Sequence, residues 1–129
     1  MATSLGEQFA RALAVKDFDR IASLLHPEVD FRGMTPGRFW EADSARQAID
    51  EALRSWFEDS DQIDELLEVH TGRVGDRDRV GYRFAVSNPD GRFLVEQQAY
   101  YETSGGTITW MRVLCSGYQA VADPVHGAA

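Results

Sequence analysis

The sequence has little cysteine and no long apolar run. Cys115 is its single cysteine, so no disulfide can form within the chain, which favours a reducing compartment. No apolar stretch approaches the ~18 residues of a membrane-spanning helix. The opening MATSLGEQFARALAVKD has no basic segment followed by an apolar one, so no secretory signal is visible. These absences predict a cytoplasmic protein without membrane partners.

Basic residues are also scarce. The chain has 13 lysines and arginines against 21 aspartates and glutamates, for a net charge of −8. A nucleic-acid binder needs a basic face that displaces counterions, so no nucleic-acid partner is expected. The acidic run EDSDQIDE (58–65) lacks the spacing of metal ligands, and no glycine-rich phosphate loop is present. We therefore expect neither a metal nor a cofactor.

The length and apolar content that are present suit one self-sufficient domain. The chain has 129 residues, of which 43% are hydrophobic. Folding at this length buries roughly two thirds of the surface of the unfolded chain. We predict a single domain over 1–129 with its core at about 5–120. The small and polar residues of 121–129 predict a mobile tail.

The first half of the chain carries helical patterns. Apolar residues recur at helical spacing in three segments, at 4–15, 17–26 and 44–59. Ser4 with Glu7 and Ser44 with Gln47 form capping boxes. The pair His26-Pro27 is expected to end the second helix, because the residue before proline avoids the helical region.

The second half changes to a period of two residues. It predicts four long antiparallel strands between 63 and 118, separated by the turn sequences GDRD (75–78), NPDG (88–91) and SGG (104–106). Helices followed by an antiparallel sheet indicate an α+β fold with the helices on one face of the sheet.

The NPDG turn fixes the register of the two middle strands. It pairs Ser87 with Arg92 and places Arg83 opposite Glu96, a favourable charge pair on a solvated face. The opposite, inner face then carries Val80, Tyr82, Phe84 and Val86 against Phe93, Val95, Gln97, Ala99 and Tyr101.

The SGG turn leaves two registers open for the last strand. A three-residue loop pairs Ala99 with Met111 and Gln97 with Val113. A two-residue loop would instead turn Trp110, Arg112 and Leu114 inward. We prefer the first register, since it buries no arginine.

The outer face of this sheet is unusually apolar. A turn at Gly75-Asp76 points Leu67 and Val69 inward and His70 outward. The outer face then holds Leu66, Leu94, Tyr100, Trp110, Leu114 and Tyr118. A sheet with apolar residues on both faces must shield both faces from water. The helices shield one face, so a second subunit is expected on the outer face.

The segment FRGMTPGRFWEA (31–42) combines large aromatics with a turn signal. Pro36 and Gly37 are expected to prevent a regular helix or a central strand here. Phe39 and Trp40 either plug the core of the protein or cover a binding site as a lid.

Three stretches carry a family resemblance: FDRIASLLHPEVDF (18–31), AIDEALRSWF (48–57) and ITWMRVLCSGYQ (108–119). With them the chain resembles the nuclear transport factor 2-like superfamily, and within it the polyketide-cyclase-like (SnoaL-like) and steroid-isomerase-like branches. The resemblance covers about residues 5–120. It implies a cystatin-like, cone-shaped α+β barrel in which three N-terminal helices pack on a curved antiparallel sheet. It also implies a deep apolar pocket and a homodimer formed through the outer sheet face.

The catalytic carboxylates of the steroid-isomerase branch do not carry over. Ala99 stands where the resemblance places the protonated acid. The base position falls near Arg32, two residues from Asp30. The histidines and Cys115 are not expected to act as catalysts, because no imidazole is predicted within reach of a substrate and the thiol is expected in the core.

A polar set remains as the candidate site, with Tyr82, Gln97 and Tyr101 expected inside the cone and Asp30 and Arg32 at its rim. The candidate catalytic residues are Asp30, Tyr82 and Tyr101. The candidate ligand-binding residues are Arg32, Phe39, Trp40, Trp56, Gln97, Ala99, Met111 and Val113. The alternative is that Gln97 and the tyrosines only satisfy one another or a buried water.

Two classes of function follow. The first is binding of a small hydrophobic molecule in the cone, with catalysis by a cofactor-independent isomerase, cyclase or dehydratase using acid–base chemistry. The second is a non-catalytic ligand-binding or dimerisation module. A carboxylate with a strongly shifted pKa in the pocket would favour the enzyme, and a lining of apolar groups, tyrosines and an amide would favour binding.

Overall fold

The computed structural model describes residues 3–121, so most of the predicted mobile tail lies outside the described residues. Helix α1 (Leu5–Ala14) begins at Ser4, whose hydroxyl accepts from the Glu7 N–H at 3.1 Å. Helix α2 (Phe18–Leu24) begins at Asp17 and ends before the predicted residue 26, because Leu25 is already extended and starts a strand. Within 3–121, no helix has the length and apolarity needed to cross a membrane.

The third helix, α3, consists of three consecutive pieces. They are Ala45–Gln47, Ala48–Leu53 and Arg54–Trp56, of which the middle piece has π-helical hydrogen bonding. The Ser44 side chain caps the start by accepting from the Gln47 N–H, as predicted. The helix ends at Trp56 rather than at residue 59, and both Trp56 and Phe57 are buried.

Across residues 3–121 the sheet contains seven strands, in the order β2-β1-β6-β5-β4-β3 with the short β7 paired to β5. The strands are β1 (Leu25–Thr35), β2 (Arg38–Ala42), β3 (Gln62–Val74), β4 (Arg77–Asn88), β5 (Gly91–Ser104), β6 (Thr107–Cys115) and β7 (Gln119–Ala120). The four long antiparallel strands β3–β6 are confirmed. The sheet as a whole is mixed, because β1 runs parallel to β6. It is curved and unclosed, and the helices pack on its inner face.

The expectation that residues 31–42 are irregular is wrong. The segment forms the hairpin β1–β2, with Phe31 paired to Ala42 and Thr35 paired to Arg38. Pro36 and Gly37 form the tight turn, where Gly37 has a φ of 77°. The backbone restrictions of Pro36 and Gly37 therefore affect only the turn between β1 and β2. Strand β2 lies at the edge of the sheet.

The predicted register holds between β4 and β5 but not between β5 and β6. Ser87 pairs with Arg92 and Arg83 with Glu96, as expected. In the next pair, Ala99 lies opposite Val113 instead of Met111. The loop is a two-residue turn, and an irregularity between Glu102 and Thr103 shifts the later pairs by one more residue. Because the total change is even, Met111, Val113 and Cys115 still point inward.

Strand β3 is also irregular, and its inward residues differ from the prediction. Leu66 packs against the core, whereas Leu67 is exposed. The register shift between Leu66 and Glu68 accounts for this, because one additional residue reverses the alternation of faces. Val69 packs inward and the His70 side chain is largely exposed, as predicted.

The core lies between the helices and the inner face of the sheet. Its largest fully buried side chains include Phe9, Leu13, Ile21, Phe31, Phe57, Tyr82, Phe84, Tyr101 and Met111. These side chains belong to one continuous hydrophobic cluster.

Candidate functional site

Each predicted polar residue of the interior makes at least one hydrogen bond within the fold. The Tyr82 hydroxyl donates to Gln97 Oε1 at 2.6 Å, and both side chains are buried. The Gly6 N–H donates to the Tyr101 hydroxyl at 2.9 Å. Burial, with a smaller contribution from the charge of Cys115, raises the pKa of Tyr82 far above its usual value. Tyr82 therefore stays protonated and serves the core.

The apolar candidates Ala99, Met111 and Val113 line the inner face of the sheet and are buried. They contribute to the packed core around Tyr101 and Phe31.

Asp30 and Arg32 lie on the outer face of the sheet, which corrects their expected place at the rim of the cone. Alternate residues of a strand point to opposite faces, and Phe31 between them takes the inward position. Asp30 Oδ1 lies 3.2 Å from Arg32 Nη1 and 3.1 Å from Arg112 Nη1. The Asp30 carboxylate therefore bridges two guanidinium groups on the outer face.

Phe39 is also on the outer face and is 55% exposed. It lines a shallow cleft of about 280 Å³ together with Arg32, Gly33, Met34, Gln98, Tyr100, Arg112, Val113 and Leu114. Met34, Tyr100 and Leu114 are likewise exposed, so this apolar face is open to solvent in the single chain.

Trp40 and Trp56 mark a different site, at the mouth of the cone. A cavity of about 330 Å³, which we call the mouth cavity, is lined by Thr35, Pro36, Trp40, Ser55, Trp56, Phe57, Cys115, Gly117 and Tyr118. These residues come from the β1–β2 hairpin, the end of α3 and the segment that follows β6.

Trp56 forms the wall between the mouth cavity and the core. Its ring lies directly on Gly33, where an added Cβ would be 2.6 Å from Trp56 Cζ2. Its ring centre is 5.8 Å from that of Phe31. The Trp56 ring can therefore occupy this position only because residue 33 has no side chain.

Trp40 covers the cavity from the hairpin side. Its ring packs edge-on against Trp56, with 6.0 Å between the ring centres and an angle of 84°. Trp40 Nε1 donates to Thr35 Oγ1 at 2.8 Å, and the Arg38 guanidinium stacks 3.6 Å from the ring centre. Trp40 is half-buried and packs against the core.

Tyr118 forms the wall of the mouth cavity opposite Trp40. The prediction that Tyr118 lies on the outer face of the sheet is therefore wrong. Its hydroxyl donates to the Trp56 carbonyl at 2.7 Å, and its ring packs against Phe57 and Phe93. Burial raises the pKa of Tyr118 above its usual value, and the negative charge of Asp61 adds to this effect. The phenol is therefore a neutral hydrogen-bond donor.

Sequence reasoning missed several lining residues, among them Phe57, Cys115, Gly117 and Tyr118. Gly117 has a φ of 75°, and a Cβ there would be 2.6 Å from the ring of Pro36. This glycine ends the alternation of β6 and redirects Tyr118 to the inside. The sequence feature that could have indicated the inward position of Tyr118 is Gly117, two residues after Cys115.

Aromatic side chains form much of the lining of the mouth cavity. In the part of the chain that the structure describes, its lining residues include no aspartate, glutamate or histidine. A search of residues 3–121 finds no group of histidine, cysteine and acidic side chains able to hold a metal ion.

Comparison with protein-family models and with curated proteins finds no match. Solved structures do match. An LEH-like epoxide hydrolase from M. tuberculosis is 20% identical, with 87% of this chain and 80% of that chain covered and a TM-score of 0.64. An NTF2-like protein from Burkholderia thailandensis is 14% identical, covering 87% and 88% of the two chains at a TM-score of 0.65.

A third structure is a hypothetical protein with a ketosteroid isomerase-like fold from Catenulispora acidiphila, in complex with trimethylamine. It is 14% identical, with 90% of this chain and 88% of that chain covered and a TM-score of 0.62. Other matches are named as polyketide cyclases and isomerases. At these identities the likeness shows the fold, and it confirms the fold implied by the sequence resemblance. The chain has the nuclear transport factor 2-like fold.

Proposed function

We propose that this protein binds a small, largely apolar molecule in the mouth cavity. The observation that carries the proposal is the cavity itself, about 330 Å³ in volume and walled by Trp40, Trp56, Phe57 and Tyr118. Small-molecule sites are typically concave, mostly apolar and roughly 300–1,000 Å³ in volume. The cavity is at the lower end of this range, which suits a ligand of one or two rings.

Binding without catalysis is the better supported form of this function. Acid–base catalysis needs a titratable group within hydrogen-bond reach of the substrate. The phenol of Tyr118 has a raised pKa and already donates to the Trp56 carbonyl. A cofactor-independent isomerase, cyclase or dehydratase is the second candidate, supported by the names of proteins that share the fold.

We propose that the β1–β2 hairpin is the lid of this site. Trp40 lies on an edge strand, so it can move without breaking a central strand pairing. A half-buried aromatic side chain at a cavity entrance excludes water from a bound apolar ligand.

We also propose that the protein is a homodimer through the outer face of the sheet, in the cytoplasm. Met34, Phe39, Tyr100 and Leu114 form an exposed apolar surface there. Such surfaces are typical of protein interfaces. The single free cysteine suits a reducing compartment.

Titration with N-phenyl-1-naphthylamine, an uncharged dye whose emission rises in apolar surroundings, tests the binding function. We expect saturable binding to the wild type. Cys115→Met should reduce the affinity about tenfold, because the longer side chain enters the cavity. Val15→Met, at a residue that is 74% exposed on the helical side, is the control and should bind like the wild type. An unsaturable signal, or equal affinity in all three proteins, would contradict the proposal.

A further inference from the structure

The polar side chains of the mouth cavity are nearly all engaged within the protein. Thr35 Oγ1 accepts from Trp40 Nε1 at 2.8 Å, and Ser55 Oγ donates to the Glu51 carbonyl at 2.9 Å. Tyr118 donates to the Trp56 carbonyl, and Cys115 Sγ accepts from the Gly117 N–H at 3.4 Å. These groups hold the walls together, and each already has a partner before a ligand arrives.

The indole nitrogen of Trp56 is the exception. Trp56 is 6% exposed, and its Nε1 has no hydrogen-bond partner among the described residues. An indole N–H can only donate. A buried donor without an acceptor is unfavourable, because it has lost its hydrogen bonds to water. The structure therefore places an unused donor on a residue that lines the cavity.

A second buried donor without a partner belongs to Gln97 on strand β5, which pairs with strand β6. Gln97 is fully buried, and its Oε1 accepts from Tyr82 while its Nε2 has no partner within residues 3–121. Gln97 is paired across the sheet with Cys115, which lines the mouth cavity. The third buried polar atom without a hydrogen bond, Asp30 Oδ1, is on the outer face between two arginines. Of these three residues, only Trp56 lines the mouth cavity.

The charge of the surroundings limits the ligand further. Arg38 stacks on the Trp40 ring and is exposed. Because no charged side chain among residues 3–121 lines the cavity, a carboxylate or ammonium ligand would lose hydration without gaining an ion pair with the lining. An uncharged oxygen loses far less.

We propose that the ligand of the mouth cavity is an uncharged apolar molecule with a hydrogen-bond acceptor oxygen, such as a ketone, ester or ether, and that Trp56 Nε1–H donates to this oxygen. This inference rests on the proposed binding function. It specifies the class of ligand and assigns Trp56 as the residue that selects it.

Four probes with one apolar body test the inference by displacement of N-phenyl-1-naphthylamine. They are 4-tert-butylcyclohexanone, tert-butylcyclohexane, 4-tert-butylcyclohexanecarboxylate and 4-tert-butylcyclohexylammonium. We expect the ketone to bind roughly 3- to 10-fold more tightly than the hydrocarbon, as one net hydrogen bond provides. Both ions should bind more weakly than the ketone. Binding of the dye with no preference for the ketone, or with no displacement by any probe, would overturn the inference and leave the binding function standing. No binding of the dye would overturn the binding function itself.

The indole N–H resonances of the wild type identify the donor directly. Addition of the ketone should shift the Trp56 Nε1–H resonance downfield, and the hydrocarbon should shift it less. Trp40 Nε1–H, which already donates to Thr35, is the internal control and should shift less than Trp56. In Trp56→Phe, the preference for ketone over hydrocarbon should fall to about onefold. A Trp56 resonance that does not respond to the ketone would contradict the assignment, whether or not the variant folds.

Discussion

Gly33 and Trp56 depend on each other at the residue scale. The indole of Trp56 fills the space that a side chain at position 33 would occupy, since a Cβ added to this glycine would lie 2.6 Å from the ring. The glycine is therefore part of the cavity wall, although it carries no side chain. The sequence could not indicate this role, because the contact joins residues on two different elements.

Gly33→Ala should destabilise the protein by about 1–3 kcal/mol, as overpacking in a core does. It should also displace Trp56 and weaken dye binding. Urea unfolding of Gly33→Ala, Trp56→Leu and the double variant measures the coupling between the two positions. The alanine should cost much less in the Trp56→Leu background, where the ring is absent. Equal costs in both backgrounds would refute the contact.

Tyr118 illustrates what a strand pattern can hide. Alternation beyond Cys115 predicted an outward side chain, but Gly117 breaks the alternation and Tyr118 packs inside. Tyr118→Phe removes the hydrogen bond to the Trp56 carbonyl and should lower the free energy of unfolding by about 1 kcal/mol. Tyr100→Phe, at an exposed tyrosine of the outer face, is the control and should change it little. Chemical denaturation distinguishes the two, and equal losses would contradict the described geometry.

Tyr82 gives the protein a pH dependence in alkali. The pKa of its phenol is raised by burial, whereas in the unfolded chain it is about 10. The folded state keeps a proton that the unfolded state loses, so this contribution to stability is complete below pH ~10 and falls as the pH rises further. Urea unfolding at about pH 8, 10 and 11 should show this decline, with a smaller slope in Tyr82→Phe. An identical slope in the variant would exclude Tyr82 as its source.

At the scale of elements, local signals located the helices and the long strands well. Helix starts at Ser4 and Ser44 followed from capping chemistry, and the β4–β5 register followed from the NPDG turn. The predicted registers were wrong where a strand contains one additional residue, as in β3 and β5–β6. The parallel pairing was missed where a strand pairs with a segment far away in the chain, as β1 does with β6. The irregularities in β3 and β5–β6 change registers without a distinct sequence mark. The parallel pairing of β1 with β6 joins segments that are far apart in the chain, beyond the reach of local patterns.

Neighbouring residues of strand β2 point to opposite faces of the sheet. Trp40 lines the mouth cavity, and Phe39 lines the cleft on the outer face. Trp40→Ala should weaken dye binding about tenfold. It should lower the free energy of unfolding by less than ~2 kcal/mol, because the side chain is only half-buried. Phe39→Ala is the matched control and should leave dye affinity unchanged. Stability loss of ~3–5 kcal/mol in Trp40→Ala would instead indicate a structural plug.

At the scale of the whole molecule, the fold provides two separate apolar surfaces. The inner surface forms the core and the mouth cavity, and the outer surface carries Met34, Phe39, Tyr100 and Leu114. The apolar residues on both faces of the strands predicted this division. The site was harder to predict, because its residues come from three distant segments that only the folded chain brings together.

The outer surface is expected to form the interface of the proposed dimer. Leu114→Glu places a charge in the middle of the proposed interface, so sedimentation of this variant should give a monomer while the wild type gives a dimer. Val74→Glu introduces the same charge at an exposed residue near the β3–β4 turn and should remain a dimer. A monomeric wild type at micromolar concentration would refute the proposed interface.

The mouth cavity is the proposed ligand site, and the proposed function depends on it. A crystal structure of the protein grown with saturating N-phenyl-1-naphthylamine tests this placement most directly. We expect dye density between Trp40, Trp56 and Tyr118, within van der Waals contact of all three rings. Density confined to the outer face, beside Phe39 and Leu114, would contradict the placement.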